Sequence, residues 1–248
     1  MIYNVGTKLS GGVFMVNKKQ PDKILGVLGG MGPAAAAEFL RLLAERAPVS
    51  RDQEHAVTYL LSDPQVPDRS SAILGTGEDP TERLKKNLLT LAGWGADFLA
   101  VPCNTAHFFI DRFRDELPVP LVHIIDETVA AAERMSPKGA WLLATRGTMD
   151  SGLYQGYAEK RNYPFFVPSM EVQRKVQKSI ELVKSNRKTE GGELLKGVVL
   201  ALWEERDLPI CAACTELPLA YDASGLPQEK TVSSLGALCE ACLRVLYP

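Results

Sequence analysis

The chain has 248 residues, 46% of them hydrophobic and 23% charged, with 28 basic against 30 acidic side chains and a formal net charge of -2. That length buries a sizeable core, as one large domain or as two α/β lobes, and the balanced charge supplies no global field for nucleic acid or an anionic membrane. No apolar run approaches the roughly 20 residues of a membrane span, and residues 1–20 lack the basic start and apolar centre of a signal peptide. Five cysteines are too few, and odd in number, for a disulfide framework, so a reducing, cytoplasmic setting is expected.

Residues 1–22 hold Gly6, Gly11 and Gly12 with little periodicity and read as a flexible extension without a role. Lys23 to Leu28 is a buried-type strand that runs through Gly29-Gly30-Met31-Gly32 into an alanine-rich helix, with Pro33 suited to its first position. The turn matches neither the dinucleotide fingerprint nor a phosphate loop. An anion-ready mouth and a turn needed only for helix–sheet packing remain equal readings of it. His55 to Ser62 is the next strand, and the proline-rich Asp63 to Ser70 is a shaped loop that brings Arg69 to the sheet's mouth.

A capped helix follows Asp79-Pro80, and Phe98 to Val101 is a strand that ends on Pro102-Cys103-Asn104-Thr105 and hands the thiol to a helix N-terminus. Leu121 to Ile125 is a strand, Glu127 to Met135 a helix, and Gly139 to Ala144 a buried strand ending in Thr145-Arg146-Gly147-Thr148. Glu171 to Ser185 and Glu193 to Glu205 are amphipathic helices separated by Gly191-Gly192, with Arg174, Lys175 and Lys178 forming a basic turn. Leu208 to Ala213 is a second strand that ends on a cysteine, Cys214, followed by Thr215 and Glu216. Thr231 to Tyr247 is a closing helix that needs a sheet to cover. Cys103 lies 73 positions after Gly30 and Cys214 lies 67 after Gly147, so each half repeats a strand, a small-residue turn and a cysteine-bearing strand.

The pairs Cys211-x-x-Cys214 and Cys239-x-x-Cys242 spell the ligand pattern of a zinc ribbon. They are separated by 24 residues, and the second pair lies in a helical run without a knuckle glycine, so no metal is expected. Cys239 and Cys242 read as small buried hydrophobes. Cys103 and Cys214 carry polar followers that have no place at the inner end of a buried strand unless they face a cleft. His107, one helical turn past Cys103, either reaches the sulfur or only packs.

Gly29-Gly30-Met31-Gly32-Pro33, Pro67-Asp68-Arg69, Pro102-Cys103-Asn104-Thr105-Ala106-His107, Leu143-Ala144-Thr145 with Gly147-Thr148, and Cys214-Thr215-Glu216 together resemble the aspartate/glutamate racemase family, in its aspartate branch. The resemblance runs from Lys23 to the end. It implies an α/β fold of two pseudo-symmetric Rossmann-like lobes with mostly parallel sheets and an active-site cleft between them. The lobes are expected at 23–120 plus 227–248, with Cys103, and at 121–226, with Cys214. It also implies a homodimer that racemises a free acidic amino acid, aspartate first and glutamate second, without a cofactor. Inverting a stereocentre in place requires one group to take the α-proton from one face and another to deliver a proton to the opposite face. A thiolate and a thiol meet that need near neutral pH, with an unperturbed pKa of about 8.5.

By position, Asn104, Thr105 and Thr215 would stabilise the charge that develops. By resemblance, Arg69 and Arg174 would clamp the side-chain carboxylate, Arg174 standing where the family more often has lysine. Met31, Ser70, Ala106 and Glu216 complete the expected binding set. Two alternatives stay open: a cysteine-dependent isomerase or decarboxylase of small dicarboxylates, and a non-catalytic protein that binds acidic amino acids.

Overall fold

The computed structural model describes residues 21–248, so the extension expected over 1–22 lies outside the described residues apart from Pro21 and Asp22. The first sheet holds β1 (Leu25–Gly29), β2 (Thr58–Ser62), β3 (Phe98–Ala100) and β4 (Leu121–Val122); the second holds β5 (Ala140–Leu143), β6 (Phe165–Phe166), β7 (Ile210–Ala212) and β8 (Thr231–Ser233). In space the orders are β2-β1-β3-β4 and β6-β5-β7-β8, the same permutation twice, and every strand pair is parallel. This is the pseudo-symmetric α/β architecture that the repeated strand–turn–cysteine pattern predicts.

That order places the site. The chain leaves the first strand of each sheet toward one edge and returns on its other side, so a crevice opens beyond the carboxyl ends of the first and third strands. The loops at those ends are Gly30-Met31-Gly32 with Pro102-Cys103-Asn104 in one sheet, and Thr145 to Thr148 with Ala213-Cys214-Thr215 in the other.

Alternation along the strands divides the core in two directions, because successive side chains leave opposite faces. Leu25 and Val27 of β1, Phe98 and Ala100 of β3, Ala140 and Leu142 of β5 and Cys211 of β7 enter one core common to both sheets. Leu28 and Leu99 turn to helices outside the first sheet, and Trp141, Leu143, Ile210 and Ala212 turn to helices outside the second. Each large aliphatic side chain buried this way contributes about 1.5–3 kcal/mol, and the common core fixes the two sheets relative to each other.

Several boundaries differ from the sequence reading. Leu121–Val122 pairs with Leu99 and Ala100, so it completes the first sheet and does not open the second lobe. The expected closing helix begins as β8, paired with Ile210–Ala212, and becomes helical only over Ser234–Leu246. Its β-branched start, Thr231-Val232, has the same apolar pattern as a helix turn and favours the strand once an edge is available. The helix then packs on Pro33–Arg46 and Ile124–Met135, so the tail spans both sheets instead of belonging to the first lobe alone. Gly191-Gly192 lies inside the helix Lys188–Glu205 instead of preceding it. A Cβ at Gly191 would stand 3.0 Å from the Ser179 carbonyl oxygen, so this glycine serves close helix packing.

Candidate active site

Met31, Asp68, Arg69, Ser70, Cys103, Asn104, Thr105, Thr145, Lys184, Cys214, Thr215 and Glu216 line one narrow cleft between the lobes. Most of the residues expected at a site are therefore brought together. Two are not. Ala106 is fully buried behind the lining, and Arg174 is exposed on the helix Met170–Lys184, away from the cleft. The cation that this helix offers is Lys184, at its C-terminal end.

Topology gives the reason and the signal that was available for Lys184. The helix Lys188–Glu205 must deliver the chain to the start of β7, so it runs antiparallel to the strands and its N-terminus lies at their carboxyl ends. Lys184, just upstream, arrives there too, whereas the basic turn around Arg174 is a solvated face. Lys184 is exposed at the cleft mouth. Partial burial pulls its pKa down, and Glu216, Cys214 and Cys103 outweigh that and hold it above its ordinary value, so it stays an ammonium.

Arg69 opens the short helix Arg69–Ile73, capped by the Asp68 carboxylate, which accepts from the Ser71 N–H at 2.7 Å. Its Nη1 donates to the carbonyls of Val66 (3.1 Å) and Pro67 (3.0 Å), and Nη2 lies 3.5 Å from the Met31 carbonyl. Nε is buried with no partner. Arg69 lines the cleft with its guanidinium pinned through Nη1 and with donor capacity left at Nε, the kind of group that binds a carboxylate bidentately.

The lobes meet around the cleft through polar contacts. Thr105 Oγ1 lies 3.1 Å from Thr145 Oγ1 and 2.9 Å from Thr148 Oγ1, closing a buried triangle of hydroxyls across the lobes. Asn104 donates from Nδ2 to Ser234 Oγ at 3.0 Å and accepts at Oδ1 from the Tyr154 hydroxyl at 2.6 Å, so its amide is pinned on both sides. Ser70 packs on Gly147 so closely that a Cβ there would stand 2.7 Å from Ser70 Cα, which accounts for the glycine in the Thr145–Thr148 turn. At Gly30, φ is +94° and a Cβ would meet the Asp63 backbone at 2.4 Å, so the first glycine turn is a packing requirement as well as a site loop.

Cys103 and Cys214 follow the equivalent strands β3 and β7 and are 5% and 4% exposed. The expected helix N-terminus beside Cys103 is a single turn, His107–Ile110, too short to supply much of a dipole. His107 is fully buried and does not serve the sulfur. Its Nδ1 lies 2.9 Å from the Cys103 carbonyl, and its ring meets His123 edge-on at 4.5 Å between centroids. Burial first, and then His123, lower its pKa to about 3, so the imidazole is neutral and donates from Nδ1. Cys214 donates from Sγ to Glu216 Oε2 at 3.1 Å. Burial and then the Glu216 carboxylate push its thiol well above the ordinary value.

The other thiols lie in the core. Cys211, Cys239 and Cys242 pack in the shared cluster, and all five cysteines are free. Among the described residues no group of three or more His, Cys, Asp or Glu side chains is arranged to hold a metal ion, so the four sulfurs of the zinc-ribbon spelling do not converge.

Comparison with known proteins bears on this geometry. The aspartate racemase of Picrophilus torridus is similar in structure, with a TM-score of 0.80 and 30% identity over 90% of this chain and 93% of that one. A glutamate racemase isoform of Bacillus anthracis shares the fold, with a TM-score of 0.65 and 17% identity over 92% of this chain and 82% of that one. A broad specificity amino-acid racemase of Bacillus subtilis is 27% identical over 206 residues, 80% of this chain and 88% of the relative. The model of the Asp/Glu/Hydantoin racemases matches residues 28–241. With that match spanning both sheets and both cysteine loops, the chain belongs to the Asp/Glu/Hydantoin racemase family.

Proposed function

We propose that this protein interconverts L- and D-aspartate, with glutamate as the second substrate, by a two-base reaction between Cys103 and Cys214 that uses no cofactor or metal. The observation that carries the reading is the pair of cysteines on equivalent strands of two lobes, both lining one cleft with Arg69 and Lys184. One sulfur, as thiolate, takes the α-proton. The electron pair of the broken C–H bond moves into the α-carboxylate, and the other sulfur, as thiol, delivers a proton to the opposite face. The roles exchange in the reverse direction.

Two cations around a small cleft support a dicarboxylate substrate. The unsatisfied edge of Arg69 suits the side-chain carboxylate, and Lys184 takes the place that the sequence reading gave to Arg174. The Bacillus subtilis relative is a broad specificity racemase, and an uncharged side chain would leave the Arg69 edge without a partner, which costs affinity. Thr215, Thr105 and the backbone donors beside each cysteine stabilise the developing negative charge. We place the enzyme in the cytoplasm as a homodimer. Five unpaired cysteines support a reducing compartment, no helix among the described residues is long and apolar enough to cross a membrane, and light scattering reads the oligomer.

The test is incubation of chelator-dialysed protein with each enantiomer of aspartate, glutamate and alanine in deuterium oxide, followed by chiral mass analysis. The reading requires inversion with solvent deuterium at Cα for aspartate, and little or none for alanine. Loss of activity on dialysis that zinc restores overturns the metal-free reading. Loss of carboxylate from the substrate identifies a decarboxylase, and binding without exchange identifies a carrier protein.

A further inference from the structure

The internal repeat makes the two cysteine loops directly comparable. Cys103-Asn104-Thr105 follows β3 and Cys214-Thr215-Glu216 follows β7, so Thr105 and Glu216 hold equivalent positions two residues past each sulfur. Their surroundings differ in kind. Thr105 engages its hydroxyl in the triangle with Thr145 and Thr148. Glu216, 3% exposed, turns its carboxylate back onto its own cysteine: Oε2 accepts from Cys214 Sγ at 3.1 Å and from Thr215 Oγ1 at 3.4 Å. Oε1 faces Gly32 of the opposite lobe, where a Cβ would stand only 3.3 Å away. Among the described residues nothing offers Cys103 Sγ such an acceptor.

We infer that Glu216 is a positioning residue for Cys214, whose carboxylate accepts the thiol's hydrogen and keeps Cys214 as the acid of the pair, leaving Cys103 as the base in the enzyme awaiting substrate. The inference rests on the two-thiol reading for its consequence in turnover, and on geometry alone for the state of the sulfurs. A hydrogen bond to the protonated thiol favours that form, and a carboxylate beside the sulfur repels the thiolate. The remaining charged or titratable groups around the cleft are Lys184 on the helix Met170–Lys184, Arg69 and Asp68 on the loop after β2, Cys103 opposite, and the Tyr154 hydroxyl beneath. Of these, the Lys184 ammonium acts against Glu216 by favouring the Cys214 thiolate, and burial acts with Glu216. Once substrate has given its α-proton to Cys103 and Cys214 has released its own, Cys214 is a thiolate beside a carboxylate, a form poised to take a proton back. The enzyme therefore accepts first the enantiomer whose α-hydrogen faces Cys103.

The test is the rate at which iodoacetamide alkylates each cysteine between about pH 6 and pH 10, read by mass spectrometry of peptides. The two cysteines are matched in residue burial, at 5% and 4% exposed. The wild-type protein should label Cys103 ahead of Cys214. Glu216→Gln should bring the Cys214 labelling midpoint down by about one pH unit, roughly a tenfold faster reaction below it, with Cys103 unchanged. Lys184→Met, which keeps the stem and removes the charge, should move the Cys214 midpoint up. Where Glu216→Gln does not fold, the wild-type labelling order decides the matter.

Wild-type labelling of Cys214 at or ahead of Cys103 overturns the inference, and so does a Cys214 midpoint that Glu216→Gln leaves where it is. Racemisation is assayed on the same samples. A wild-type protein that labels in this order without racemising aspartate refutes the proposed function and leaves the Glu216–Cys214 pairing standing.

Discussion

Replacing His107 with glutamine removes a buried imidazole that folding keeps neutral, and the effect on acid stability can be worked out from the structure. Burial, reinforced by the neighbouring His123, lowers the His107 pKa from the ordinary 6.5 to about 3. Between those values the unfolded chain holds a proton on this residue and the native protein does not. Its contribution is therefore complete above about pH 6.5, declines as the pH falls toward 3, and changes no further below that. The slope is about 1.4 kcal/mol per pH unit, so going from about pH 7.5 to pH 5 costs the wild-type protein about 2 kcal/mol through His107 alone. Glutamine does not titrate and keeps a donor for the Cys103 carbonyl. Urea unfolding of both proteins at the two pH values gives the comparison, in which other titrating groups cancel. The stability gap between wild type and His107→Gln should shift in favour of the variant by about 2 kcal/mol at the lower pH. An unchanged gap would mean that His107 is protonated or solvated in the native protein, and would refute the account of its tether to the Cys103 loop.

Tyr154→Phe strips the donor from Asn104 Oδ1 and should cost about 1–3 kcal/mol in thermal or urea unfolding. Because Asn104 adjoins Cys103, turnover should fall as well. Arg69→Ala should weaken aspartate by about 2–5 kcal/mol, the cost of leaving a carboxylate unpaired in a desolvated site, measured as KM or as the Kd of a dicarboxylate inhibitor. Lys184→Ala should also raise KM, while Arg174→Ala, altered on an exposed helix face, should leave both KM and kcat as they are. Equal effects at positions 174 and 184 would contradict the placement of the cation.

Much of this was legible in the sequence because strand ends announce themselves. An apolar, β-prone run that stops on Cys103 or Cys214 and continues with Asn, Thr or Glu has one physical reading, a strand that opens into a cleft, and the repeat of that unit implies two lobes. Short strands were harder. Leu121–Val122 was legible as a strand, but its sheet, and the strand Thr231–Ser233 itself, are set by the edge they pair with, which no local pattern encodes. Arg174 is assigned by resemblance, at a position where the family more often has lysine, yet it stands on the solvated face of its amphipathic helix. Lys184 has no local signature, and only the direction of the following helix carries it to the cleft. The link from Glu216 to Cys214 was hidden for a different reason. The carboxylate turns back along its own loop to the sulfur instead of outward to the ligand, and that is a matter of side-chain rotamer rather than of sequence spacing.

The most direct measurement is α-proton exchange in deuterium oxide by Cys103→Ser and Cys214→Ser, each supplied with L-aspartate and with D-aspartate, beside serine variants at Cys211, Cys239 and Cys242. With one base on each face of Cα, either site variant should lose racemisation in both directions, while any residual exchange with retention should select opposite enantiomers in the two variants. The three core variants should racemise at close to the wild-type rate once their stability losses are allowed for. Racemisation at the wild-type rate by either Cys103→Ser or Cys214→Ser would contradict the two-base account and leave a single working thiol in its place.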